Sequence, residues 1–385
     1  MRKLKALLAV ALALAVGVWV ALPYAESAAF LMDLGGVRHW SRRLLPGRAA
    51  DVTWRDIAIP TRHGPLAARV YTPAADADSA PAFIIFPGIH RGGVDEPRLA
   101  GFSRRFASAG AIVVSVPLPD LREFRVTMRA TDQIEDAAVW AANDPAIGRG
   151  GRIGLAGVSF AGGLSLVAAG RPALADRLSM AVSFGGYGDL TRVLRFLCTG
   201  ALPDGSRGTP HDYGVAVVLL EVAPTMVPAG QVEPLRRGVL TFLEGSLHDL
   251  TDKPRAAALF ADARAQAALL PEPARTLLGW VNDRDVTRLG PAVLPHVERL
   301  DGVAALSPER SPAATAPVFL LHGASDNVIP SAETPLVADY LRRSGNARVE
   351  TLLTPLVSHA DLEMDAPPAD VWRLVSFWKK MRDAQ

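Results

Sequence analysis

Cysteine is almost missing: Cys198 is the single one in 385 residues. One thiol cannot close an internal disulfide or furnish a cysteine-rich metal site, so it reads as a small apolar packing group. Aromatic residues make up only 6%, and no basic stripe carries interleaved aromatics. Lysine and arginine number 41 against 39 acidic residues, a net charge of +2. That near-balance argues against nucleic acid as a partner. The eight histidines are scattered, with no His-x-x-x-His pair, so no metal is expected. No cofactor is expected either: Gly185-Gly186-Tyr187-Gly188 lacks a P-loop lysine and reads as a flexible turn. Repeats of fixed period are absent too.

What the chain does have is apolar residue, 49% against 21% charged, enough for a sizeable core. Its length suits one large domain with an insertion, or two modest domains. Met1-Arg2-Lys3-Leu4-Lys5 is basic, and the 17 residues from Ala6 to Leu22 carry no charge. This reads as an export signal with its basic end left in the cytoplasm. The run is at the short edge of the roughly 17–25 residues that span a bilayer. Ala25 and Ser27 are small residues at the positions a signal peptidase reads, for cleavage after Ser27. Trp19 and Tyr24 equally suit the far interface of an uncleaved anchor. Residues 1–27 are therefore a signal peptide or a membrane anchor, and 28–50 a linker. The body is expected outside the cytoplasm, anchored in the membrane or periplasmic/secreted.

Strands are expected at Asp56–Pro60 and Leu66–Tyr71, around the turn Arg62-His63-Gly64-Pro65. Ala82–Phe86 is a continuous apolar run, as in strands buried on both faces. It ends in Pro87-Gly88-Ile89-His90-Arg91-Gly92-Gly93. A helix over Glu96–Ala109, a strand at Ala111–Val116, a helix over Thr127–Asn143 and a strand at Met180–Phe184 follow. This alternation gives the α/β class, a mostly parallel central sheet flanked by helices. Ligands bind such sheets beyond the carboxyl ends of the strands. The rhythm turns helical at 189–314, with Leu190–Leu197, Val215–Val222, Val232–Leu247, Arg255–Leu269 and Val293–Leu300 broken up by proline and glycine. That stretch reads as an insertion between core parts at 51–188 and 315–385. Strands resume at Pro317–Leu321 and Arg348–Leu353, and a helix over Ala369–Met381 closes the chain.

The organising stretch is Arg152-Ile153-Gly154-Leu155-Ala156-Gly157-Val158-Ser159-Phe160-Ala161-Gly162-Gly163. An apolar run rises to a serine between small residues, and a second apolar run, Leu164–Ala169, follows. A buried strand, a sharp turn and a packed helix read this way. The strained turn needs near-absent side chains two residues either side, and Gly157 and Ala161 occupy those places. A serine that only caps the helix would read alike.

Two later loops decide between these readings. His322-Gly323-Ala324-Ser325-Asp326-Asn327-Val328-Ile329-Pro330 follows one strand, and Thr354-Pro355-Leu356-Val357-Ser358-His359 follows another. Serine, acid and histidine in that order, on loops at one sheet edge, is the order of the strand-turn-helix hydrolases. On these residues the chain resembles the α/β-hydrolase superfamily, near its dienelactone hydrolase and serine esterase/peptidase-like branches. The resemblance spans about residues 51–385 and departs from the usual nucleophile turn only in ending on Ala161. It implies an α/β-hydrolase fold with the helical insertion as cap.

Ser159 is then the nucleophile and needs a base in reach. His359 would take its proton and return it to the leaving group. Asp326 would fix the histidine tautomer. The Phe160 amide, with that of Ile89 by the family's pattern, would receive the oxyanion. His90 and Gly88 are candidate substrate contacts. Asp326 as a turn cap, His359 as a surface histidine, His322 as a structural hydrogen-bonder and Asp120 as a substitute acid are the competing assignments. The apolar helix Val215–Leu220 reads as insertion core, or as an acyl pocket if it faces Ser159. The expectation is an exported serine hydrolase acting on a small-molecule carboxylic ester. Peptidase chemistry ranks lower, since the propeller-sized N-terminal domain of large serine oligopeptidases is lacking, and acyl transfer to an acceptor other than water is the other alternative. From another class, the same pocket would serve a catalytically silent binding protein.

Overall fold

A computed structural model describes residues 17–32, 51–74, 80–249, 252–300, 302–357 and 367–384. Helix α1, over residues 17–32, precedes the strands β1 (Val52–Ile59), β2 (Leu66–Pro73) and β3 (Ala82–Phe86). Then come α2 (Pro97–Ser108), β4 (Ile112–Ser115), α3 (Pro119–Arg122) and α4 (Met128–Asn143). β5 (Ile153–Val158), α5 (Phe160–Ala169) and β6 (Leu178–Phe184) complete the first part of the core.

The eight strands lie in the order β1-β2-β4-β3-β5-β6-β7-β8, with β7 at Val318–Gly323 and β8 at Val349–Thr354. β2 runs antiparallel to both neighbours, and every other pairing is parallel. Strand alternation divides the apolar run of β3 between the two faces. Ile84 and Phe86 join the core under α4 and α5, whereas Phe83 and Ile85 join the core under α2 and the C-terminal helix.

Between β6 and β7 the chain forms α6 (Leu190–Thr199), α7 (Asp212–Met226), α8 (Ala229–His248), α9 (Lys253–Leu269), α10 (Ala274–Asn282) and α11 (Val286–Val297). Their buried side chains, such as Val218, Val239 and Leu278, continue the core on the α5 side. α12 (Glu333–Arg343) and α13 (Pro368–Asp383) follow β7 and β8. Cys198 packs within this insertion as expected, and burial pushes its thiol up to about 12.

Four features differ from the sequence reading. Pro224, Pro234, Pro291 and Pro295 lie inside α7, α8 and α11 instead of breaking them. An interior proline costs about 3 kcal/mol, and burial of apolar faces such as Leu235, Val239, Phe242 and Leu243 on α8 outweighs it. α10 was not expected, although Ala274, Leu277, Leu278 and Val281 are buried at helical spacing. Gly185–Gly188 is no loose turn, because Tyr187 within it is fully buried and donates to the Leu306 carbonyl at 3.0 Å. Residues 28–32, read as the start of a linker, continue α1, and 33–50 lie outside the described residues. Most of the charge-free run Ala6–Leu22 also lies outside them. Among the described residues no helix is long and apolar enough to cross a membrane.

Candidate active site

Ser159 joins β5 to α5 with φ 55° and ψ −128°, a conformation L residues rarely hold. Such strain costs on the order of 1–3 kcal/mol and persists only where neighbours impose it. Here the Ser159 amide donates to the Phe184 carbonyl at 2.7 Å, and the Ser159 carbonyl accepts from the Gly162 amide at 2.8 Å. A Cβ on Gly157 would meet the Ala161 carbonyl oxygen at 2.2 Å, so the return of α5 over the strand requires glycine there. The Ser159 side chain makes no capping hydrogen bond to α5, which removes the helix-cap reading. Phe160 is the first residue of α5, and its N–H has no intrahelical partner. The helix dipole adds partial positive charge at that amide.

The loop after β3 lies against this serine. A Cβ on Gly88 would stand 2.9 Å from the Ser159 Cβ and 3.4 Å from its Oγ. Ile89 follows at once, so both proposed oxyanion amides belong to segments at the Ser159 end of the sheet. His90 is half-buried, and its Nδ1 is buried without a hydrogen-bond partner among the described residues. Burial first, then the Arg98 and Arg122 charges, hold its pKa below the ordinary value against the pull of Glu96. Glu96 is itself fixed by accepting from the Leu99 amide at 2.6 Å and from Arg98 Nε at 2.9 Å.

Asp326 sits past the end of β7, two strands from β5, with its side chain 1% exposed. Its Oδ1 accepts from the amides of Val328 at 2.8 Å and Ile329 at 3.1 Å. The turn-cap reading is thus half right, because one oxygen caps the turn. The other oxygen, Oδ2, faces the end of β6, 3.5 Å from where a Gly185 Cβ would stand. His322 Nε2 lies 3.4 Å from that oxygen and 2.9 Å from the Ile329 carbonyl, while Nδ1 meets the Thr334 hydroxyl at 2.7 Å. The carbonyl can only accept, so Nε2 donates and Nδ1 accepts. Both ring nitrogens are in use, as expected of a structural histidine.

Asp120 is engaged elsewhere, by Arg129 and Thr127. Burial opposes its charge, and those hydrogen bonds outweigh burial to hold its pKa below the usual range. His359 lies outside the described residues. The described chain stops two residues before it, at Val357, after β8 has bonded to the acid loop through the Ala324 amide and Thr354 carbonyl at 2.9 Å. Among the described residues no group of three or more His, Cys, Asp or Glu could hold a metal ion.

The insertion meets the site at two places. The His211 amide donates to the carbonyl of Asn327, next to Asp326, at 2.8 Å. His211 in turn lies 4.3 Å, ring to ring, from Tyr213. Burial, then the Asp326 and Asp212 charges, raise the Tyr213 hydroxyl pKa well above its ordinary value. Tyr213 was not singled out from the sequence, where only the folded insertion brings residue 213 near residue 326. The second meeting place is a cavity of about 90 Å³ lined by Phe160, Leu194, Leu197, Val217 and Val218 among other apolar groups, with Glu221 the only charged one among the described residues. Most of the helix read as Val215–Leu220 is insertion core, and Val217 and Val218 also line the cavity that includes Phe160.

No protein-family model matches the chain, and a search of curated proteins finds no relative. Solved structures are similar in chain path. An esterase of Pyrobaculum calidifontis is 18% identical, with 94% of this chain and 92% of that one covered and a TM-score of 0.45. A thermostable carboxylesterase from a metagenomic library is 16% identical, with 91% and 95% covered and a TM-score of 0.43. An acylaminoacyl peptidase of Pyrococcus horikoshii is 11% identical, with 90% of this chain and 43% of that one covered and a TM-score of 0.47. The assignment of fold comes from the molecule itself. With one reversed strand second in an otherwise parallel sheet of eight, a strained serine at the tip of the fifth strand and a helical insertion after the sixth, this chain has the α/β-hydrolase fold.

Proposed function

We propose that this protein is an exported serine hydrolase that cleaves a small carboxylic ester through an acyl-enzyme. The observation that carries the reading is the backbone of Ser159, held at positive φ with its side chain left out of the helix cap. A fold keeps such strain where the side chain it presents has work to do. Ser159 attacks the ester carbonyl while His359 takes its proton, and the same imidazole returns the proton to the departing alkoxide. Asp326 supports the imidazolium, and the amides of Phe160 and Ile89 hold the oxyanion. Water then repeats the sequence on the acyl-enzyme and frees the acid.

The acyl chain of the substrate fits the apolar cavity that Phe160 shares with Val217 and Val218. A volume of about 90 Å³ suits a short chain. A fluorophosphonate probe tests the reading. Wild type should be labelled at Ser159, with Ser159→Ala and His359→Ala inert. Labelling that survives His359→Ala within a few-fold would show the base to be misassigned, and an unlabelled wild type would leave a binding protein.

A further inference from the structure

The second half of α1 lies on the C-terminal helix. Phe30 stacks on Trp378 with centroids 4.2 Å apart, and Tyr24 stacks on Trp372 at 5.0 Å. Lys379 Nζ stands 5.2 Å from the Tyr24 ring centroid, and Arg382 donates to Glu26 at 2.7 Å. Ser27, Ala29 and Phe30 are buried, and the Ser27 hydroxyl donates to the Pro23 carbonyl at 2.8 Å. The Ser27–Ala28 bond, the one the sequence offers to a signal peptidase, is thus mid-helix with body contacts on both sides.

The first half of α1 is the reverse. Val18, Trp19, Val20 and Leu22 are 43% to 77% exposed. Val371 and Trp372, at the start of α13, are 42% and 57% exposed, and the Tyr24–Trp372 stack joins them to the same region. Single exposed apolar side chains are ordinary, but a run on one helix continued on a second is not. Exposed Arg373 and Lys380 lie along α13, paired with Asp370 at 3.4 Å and Glu350 at 2.8 Å, and upstream the charge-free run reaches back to Ala6, behind Arg2, Lys3 and Lys5.

We propose that residues 18–22 and Val371–Trp372 form one docking face that seats the body on an anionic lipid bilayer, with the N-terminal segment retained. Tryptophan rings favour the headgroup level, and adjacent lysine and arginine favour anionic lipid. Two elements in contact with the bilayer, instead of one tether, would fix the orientation of the body. This stands apart from the catalytic reading, because Ser159→Ala should dock as wild type does.

The test uses the full chain bearing Val371→Cys with an environment-sensitive fluorophore, Cys198 being buried. On phosphatidylcholine–phosphatidylglycerol vesicles its emission should shift to the blue and be largely lost with brominated acyl chains, less so on phosphatidylcholine alone. A label at Asp204→Cys, on an exposed loop of the insertion, should not respond. Brominated lipid should also quench the tryptophan emission of unmodified protein, a readout that needs no variant. Protein recovered from membranes should retain residues before Ser27 by intact mass. A label at 371 blind to brominated lipid on protein that floats with vesicles would overturn the proposal. So would a mature chain starting at Ala28, or a dimer that shields position 371 in solution.

Discussion

The loop bearing Gly88 rests on Ser159 so closely that a methyl group at 88 would come within 2.9 Å of the serine Cβ. Either the loop or the serine must shift to admit one. Overpacking of this kind costs about 1–3 kcal/mol, which the fold survives. A reacting oxygen moved by about 1 Å costs on the order of 10²-fold in rate. Gly88→Ala should therefore lower kcat/KM for an ester by roughly 10²-fold while the melting temperature falls by a few degrees. Gly157→Ala differs, because its methyl meets backbone at 2.2 Å and the helix itself must move. It should lose stability and activity together. A fully active Gly88→Ala would show that the contact does not position the nucleophile.

Asp326 uses one oxygen for the turn and presents the other at the sheet edge. Asparagine keeps an acceptor for the Val328 and Ile329 amides but cannot stabilise an imidazolium. Asp326→Asn should leave thermal unfolding nearly unchanged and reduce turnover by about 10⁴-fold, the scale of that change in a serine-protease triad. Asp326→Ala should add a loss of about 1–3 kcal/mol, because two buried amides lose their acceptor. Paired melting and rate measurements separate the two roles.

The core was legible because its strands are buried on both faces. Ala82–Phe86 and the run ending at Val158 had no alternation to confuse them, and each ended in a loop rich in small residues. Ser159 and Asp326 were legible for a related reason: strained turns and buried carboxylates tolerate few local sequences. Tyr213 was not, since its place beside the acid loop depends on how six helices stack and on one backbone bond, His211 to Asn327. α10 carried its signal at Ala274, Leu277, Leu278 and Val281, masked by Pro271, Pro273 and Gly279 around it. Prolines inside α8 and α11 misled in the same way, because local propensity yields when a whole apolar face is buried.

Val217 is partly exposed on α7 and lines the cavity with Phe160. A larger side chain there fills space without touching Ser159 or Asp326. Val217→Phe should shorten the longest acyl chain hydrolysed efficiently, with the acetyl ester least affected. A panel of p-nitrophenyl esters from acetate upward checks this. A parallel drop at every chain length would mean that the cavity does not receive the acyl group.

Arg192, in the first turn of α6, ties the insertion to the core through a buried carboxylate. Its Nε and Nη2 donate to Glu333 at 2.6 and 2.7 Å, and Glu333 also accepts from the Gly188 and Asp189 amides at 2.9 and 3.1 Å. The Glu333 side chain is 1% exposed, so Arg192→Met strands a charge away from water. Breaking a buried pair this way costs about 3–5 kcal/mol, or roughly 10 °C in melting temperature. Arg192→Met with Glu333→Met should recover only part of that loss, since Glu309, which accepts from Arg192 at 2.6 Å, still loses its partner and the Gly188 and Asp189 amides lose their acceptor. Calorimetry of the single and double variants checks the coupling.

His90 gives the molecule a weakness to acid with a definite sign. Its pKa lies below the ordinary 6.5 in the folded chain, chiefly through burial. As pH falls past that value, unfolded chains take up a proton that the folded chain resists, so stability declines with acid. Glu96, also held below its ordinary value of 4.5, adds a separate loss only at lower pH. His90→Gln removes the first process and leaves the second. Its melting temperature should therefore stay flatter than that of wild type as pH falls below about 6.5, in the window above the Glu96 loss that both proteins share. Identical slopes in the upper window would show that His90 takes up its proton equally well in the folded chain.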